Sequence, residues 1–91
     1  MRTEIEKLRQ EVDRIDDQIK ILFEQRLALA LDIGKVKAAK DLPIQDVARE
    51  NTIISRLTTD QDDEMAEYTK ALFITLFEAS RFYQRMKLGR Q

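Results

Sequence analysis

From Ile5 to Val36 the chain sets Ile5, Leu8, Val12, Ile15, Ile19, Leu22, Arg26, Leu29, Ile33 and Val36 at alternating intervals of three and four residues. All but Arg26 are apolar. A heptad seam sustained for more than four repeats belongs to a helix that packs lengthwise against other helices. Such a helix, about 37 residues long, extends roughly 55 Å. A compact domain of this size has a radius of gyration near 12 Å and a diameter of roughly 30 Å. The helix cannot fit inside its own monomer, and the rest of the chain is too short to cover it. A symmetric dimer, in which the helix meets its counterpart, is the economical solution.

Helix breakers are few: Gly34, Gly89 and Pro43 in 91 residues. The expected fold is all-α and a single domain over 1–91, with helices at about 3–39, 46–58 and 62–87. The breaks fall at Lys40–Gln45 and, more softly, at Leu57–Asp63. Asp46 suits the N-cap of the second helix and Asp60 or Asp62 that of the third, because short acidic side chains satisfy the free amides of a helix start.

Composition narrows the chemistry. There is no cysteine and no histidine, which removes disulfides, the usual zinc sites, thiol nucleophiles and imidazole acid/base catalysis, so neither metal nor cofactor is expected. Charged residues make up 36% of the chain yet the net charge is −1; no basic stripe suggests nucleic acid. No segment approaches the ~18 apolar residues of a membrane span, and the charged start Met1-Arg2-Thr3-Glu4 has no apolar run behind it. A cytoplasmic protein is the expectation.

Each helix also turns a polar group inward. Arg26 stands in the seam of the first. In the second, Glu50 lies within the row Val47, Glu50, Ile54, Leu57. In the third, Ser80 and Gln84 prolong a row begun by Phe73 and Phe77, beside the core row Leu72, Leu76, Ala79, Tyr83 and Met86. Burying an unpaired charge costs several kcal/mol, so these groups meet either one another, with Arg26 paired to Glu50, or a ligand. Lys37 follows Arg26 by eleven residues, only about 20° away in azimuth and roughly 16 Å along the axis. Two long cations there could lean over one small anion, or Lys37 could be solvated beside Lys35 and Lys40. Asp46, Arg49 and Glu50 share one side of the second helix near its N-terminal end, where free amides also favour anions.

The ordered set Leu8-Arg9, Ile15-Asp16-Asp17, Gln25-Arg26, Gly34-Lys35-Val36-Lys37, Pro43-Ile44-Gln45-Asp46, Arg49-Glu50, Ser80 and Gln84 resembles the all-α, AroQ-type chorismate mutases over nearly the whole chain. The resemblance implies an intertwined homodimeric helical bundle with two active sites that convert chorismate to prephenate, toward phenylalanine and tyrosine. It also implies the roles. Arg9, Arg26 and Lys37 would bind the two substrate carboxylates, with Ser80 assisting. Lys37 and Gln84 would point at the ether oxygen. Glu50, with the backbone near Asp46, would accept the ring hydroxyl, and Arg49 would support that corner. A Claisen rearrangement needs neither proton transfer nor a nucleophile, in keeping with the missing His and Cys.

Arg9 and Arg26 are seventeen residues apart, roughly 25 Å along one helix, too far to grip one small ligand from the same chain. The resemblance assigns Arg9 to the partner's site. Two other readings compete: an isochorismate–pyruvate lyase of the same fold, and a non-enzymatic dimeric helical module in which the seam is the whole story. In the ligand-free protein Arg26 should show either a cavity or a contact with Glu50.

Overall fold

The computed structural model describes residues 3–89; Met1, Arg2, Arg90 and Gln91, part of the expected 1–91 domain, lie outside the described residues. The expected all-α architecture is found, in three helices: α1 (Glu4–Ala39), α2 (Val47–Thr58) and α3 (Asp63–Leu88). Each begins on a side-chain cap. Thr3 Oγ1 accepts from the amide of Glu6 at 3.2 Å, Asp46 Oδ1 from that of Arg49 at 3.0 Å, and Asp62 Oδ1 from that of Met65 at 2.8 Å. These bonds satisfy amides that have no partner within a first turn. Of the two candidates for α3, Asp62 is the cap.

The end of α1 matters because it carries Lys37. There the amide of Leu42 donates to the carbonyl of Lys37 at 2.8 Å and that of Asp41 to Ala38 at 3.2 Å. This nested pair is a Schellman motif, whose residue after the cap must be left-handed. Asp41 takes that conformation, with φ 55°, where glycine is the usual and unstrained choice. The turn reverses the chain into the buried Ile44 and brings α2 alongside.

Helix α3 is the central element: α1 and α2 both pack on it and not directly on each other. The packing involves only the second half of α1, through Phe23, Leu27, Ala30, Leu31 and Gly34. Every described residue from Thr3 to Leu22 is exposed. The chain therefore measures 59 × 29 × 16 Å, with a radius of gyration of 16.8 Å, well above the roughly 12 Å of a compact domain of this length.

The heptad seam is uncovered from end to end. Ile5, Leu8, Val12, Ile15, Ile19, Leu22, Leu29, Ile33 and Val36 are all exposed, and only Arg26 among the seam positions is partly buried. On α3, Met65, Tyr68, Leu72 and Met86 form a second exposed stripe. Leu72 and Met86 thus differ from the core positions their row suggests, and Leu76, Ala79 and Tyr83 are only half-buried. Among the described residues no large side chain is completely buried. The accessible surface is 7508 Å², against about 5,500 Å² for a compact folded chain of this mass. The surplus, about 2,000 Å² per chain, matches what permanent homodimers cover.

Asp41 allows a direct check on the turn that sets Lys37. Asp41→Gly removes the left-handed strain at a partial cost in backbone entropy and is expected to stabilise the protein by about 0.5–1 kcal/mol. The midpoint of urea unfolding should rise with an unchanged slope; a lower midpoint would show that the Asp41 side chain itself supports the turn.

Candidate active site

The three helices enclose a cleft of about 260 Å³ where the second half of α1, the start of α2 and the second half of α3 converge. Its walls contain Arg26 and Lys37 from α1, Asp46, Arg49 and Glu50 at the start of α2, and Ser80, Arg81 and Gln84 from α3. Leu29, Ala30, Ile33, Ile44, Ile53 and Phe77 supply the apolar remainder. Every candidate residue from the sequence except Arg9 lines this one cleft. Arg9 is exposed on the projecting half of α1, roughly 25 Å along the helix from Arg26.

Each polar group on the α1 and α3 walls is held by one bond to the protein. An Arg26 guanidinium N–H donates to Ser80 Oγ at 2.8 Å, and the guanidinium carbon lies 5.5 Å from the centroid of the Phe77 ring, a cation–π distance. Gln84 Nε2 donates to the carbonyl oxygen of Ala30 at 2.6 Å. That contact fixes the amide orientation, since a carbonyl only accepts. Lys37 Nζ donates to the carbonyl of Ile44 at 2.9 Å. Held this way, each group retains hydrogens to donate: the Arg26 guanidinium several, Ser80 its hydroxyl proton, Gln84 one amide proton and Lys37 two ammonium protons.

Arg26 and Glu50 are not paired. Arg26 takes Ser80, and Glu50 Oε2 accepts from the Arg81 guanidinium, the one ion pair among the described residues. Both outcomes foreseen at Arg26 are therefore resolved: the cavity is present and the Glu50 contact is not. Burial pushes the Arg26 pKa below its ordinary value, the nearby Arg49 cation lowers it further, and Glu50 partly opposes both. An arginine remains protonated under such pressure, so the free site carries a cation short of negative charge. Arg26, Lys37, Arg49 and Arg81 set against Asp46 and Glu50 leave two positive charges in excess.

A cleft with that surplus, fixed donors and neither imidazole nor thiol suits a rigid grip on a dianion. The sequence matches the family model "Chorismate mutase type II" over residues 8–85. The chain belongs to the chorismate mutase type II family. It is 30% identical to the bifunctional chorismate mutase/prephenate dehydratase of Escherichia coli over 83 residues, covering 89% of this chain and 22% of that protein. Against the Methanocaldococcus jannaschii chorismate mutase it is 39% identical over 56 residues, 58% of this chain and 57% of the relative. The fold superposes on the structure of the Thermus thermophilus chorismate mutase with a TM-score of 0.78 at 33% identity, covering 86% of this chain and 99% of that one. The chain spans only about a fifth of the length of bifunctional relatives such as the E. coli protein.

Within this chorismate mutase fold, the sequence reading missed Arg81. Ser80 and Arg81 are consecutive, about 100° apart around α3, so Ser80 meets Arg26 of α1 while Arg81 meets Glu50 of α2. Gly34 stood in the quoted resemblance without a role. A Cβ there would lie 2.9 Å from Leu88 Cδ1 and 3.3 Å from Gln84 Cγ. Gly34 is thus the notch in α1 that admits Gln84 to the carbonyl of Ala30, one turn earlier on the same helix.

Gly34→Ala adds helix propensity worth about 1 kcal/mol while crowding Leu88, whose free end can turn aside, and Gln84, which is buried and anchored. Stability should stay within about 1 kcal/mol of the parent, while any turnover of chorismate, the family's substrate, should fall about tenfold through displacement of the amide. Unchanged turnover would show that the notch does not position Gln84.

Proposed function

We propose that this protein is a chorismate mutase, converting chorismate to prephenate in phenylalanine and tyrosine biosynthesis as a homodimer with shared active sites. The observation that carries the reading is the cleft itself, which joins an excess of two positive charges to donors already locked in place. The substrate is a flexible dianion. Its rearrangement breaks the ether C–O bond and forms a C–C bond by concerted electron-pair shifts within one molecule, without external proton or nucleophile. Catalysis then consists of holding the folded conformer and stabilising negative charge as it grows on the ether oxygen.

In this reading Arg26 forks one substrate carboxylate, with Ser80 donating its free hydroxyl proton at the same end. Lys37 and Gln84 aim their remaining protons at the ether oxygen. Glu50 and the region of Asp46 accept the ring hydroxyl, and Arg49 supports that corner. Arg9 enters from the partner. The dimer is supported by the uncovered seam of α1, the exposed stripe on α3 and the surplus of about 2,000 Å² per chain. No helix among the described residues is long and apolar enough to cross a membrane. We read the protein as cytoplasmic, in keeping with the proposed place in amino-acid biosynthesis.

Gln84 gives the sharpest test. Gln84→Ala should lower kcat for prephenate formation by about 10²- to 10³-fold, the usual loss when one donor to a developing oxyanion is removed. Gln84→Glu should be active only at acidic pH, because a carboxyl group donates when protonated and repels the ether oxygen when ionised; its activity should rise as pH falls through the carboxyl pKa. Chorismate turnover that is indifferent to both substitutions would contradict the reading. Pyruvate and salicylate formed from isochorismate, with no prephenate from chorismate, would favour the lyase.

A further inference from the structure

Among the charged and polar cleft residues Arg81 alone has no assigned part, yet it forms the one ion pair among the described residues. Its partner Glu50 sits in the first turn of α2, a helix with no fully buried residue. The Arg81 and Glu50 side chains are only 18% and 23% exposed. The cleft's other carboxylate, Asp46, is engaged in capping, accepting from the Arg49 amide. Each carboxylate thus keeps one oxygen free to accept, Asp46 its Oδ2 and Glu50 its Oε1, but Asp46 is exposed whereas Glu50 is half-buried in the cleft wall.

Without Arg81, a half-buried Glu50 would be free to turn to another cation of the cleft. Arg26 already feels its charge, lines the same cleft, and is held only by a neutral hydroxyl. An Arg26–Glu50 pair would consume at once the anion-binding cation and the hydroxyl acceptor. We infer that Arg81 is a positioning residue: it holds Glu50 against the wall between α2 and α3, as an acceptor for the substrate hydroxyl, and keeps it off Arg26. The inference rests on the proposed role of Glu50 in binding chorismate.

A kinetic double-mutant cycle tests this in the full chain, using Arg81→Met, Glu50→Gln and the double variant, with far-UV circular dichroism on each. Acting through Glu50, Arg81→Met should reduce kcat/KM about 10- to 100-fold, the scale of a lost charge-assisted hydrogen bond. The loss should fall mainly on KM, because the hydroxyl end is bound alike in ground and transition states. In the Glu50→Gln background the same substitution should cost no more than about threefold, and Arg81→Lys should recover most of the activity. Should Arg81→Met not fold, Arg81→Gln completes the cycle. Equal losses in both backgrounds would overturn the inference, since Arg81 would then act on the ligand or the fold directly. If Glu50→Gln alone leaves kcat/KM unchanged, the underlying reading of Glu50 fails, and the inference with it.

Discussion

Helix α1 is too long for the chain that carries it, and the rest of the structure is arranged around that excess. At 36 residues it runs the length of a molecule 59 Å long, and α3 covers only its second half. The first half presents Ile5, Leu8, Val12, Ile15 and Ile19 to solvent, an apolar row whose burial is worth about 25 cal/mol per Å². With so little buried among the described residues, a lone chain has a poor balance of burial against conformational entropy. The proposed dimer supplies the missing core, and the polar break in the seam falls where α1 meets α3, beside the cleft.

The cleft repeats the same logic in charge. Arg26 is half-buried against Phe77 with a neutral hydroxyl as its partner, while Arg49 adds like charge. Replacing a buried polar pair such as Arg26 and Ser80 with well-packed apolar residues is often neutral for a fold, so stability alone does not explain their presence. The proposed dianionic substrate would: it would neutralise the excess charge while Ser80, Lys37 and Gln84 keep the bonds that hold them. Those bonds mean the donors need no reorganisation as charge develops, which is the condition under which electrostatic stabilisation is most effective. The Schellman turn through Asp41 belongs to this preorganisation, because Lys37 is anchored there twice, by its carbonyl to Leu42 and by its ammonium to Ile44.

Much of this was legible along the chain because it is periodic or local. The seam, the all-α class and the caps at Asp46 and Asp62 follow from spacing and from the chemistry of helix starts. The inward polar positions Arg26, Glu50, Ser80 and Gln84 were visible as interruptions in apolar rows. Pairing between helices was not. Arg81 reads as a surface residue because it lies outside those rows, and its contact with Glu50 depends on the distance and angle between α2 and α3. Gly34 belonged to the quoted resemblance, but its use as a notch for Gln84 is a matter of ångströms. Leu72 and Met86 read as core because a one-dimensional pattern does not say whether an apolar row faces its own chain or another.

The central claim is that the partner which buries the α1 seam also completes the cleft, through Arg9. Arg9→Ala and Arg26→Ala chains, each nearly inactive alone, can be unfolded together in equal amounts and refolded. With shared sites, half of the dimers are mixed and each contains one intact site, so activity should return to about a quarter of the parent value. If no activity returns while mixed dimers are shown to form, Arg9 and Arg26 do not serve one site from two chains, and the account is wrong at its core.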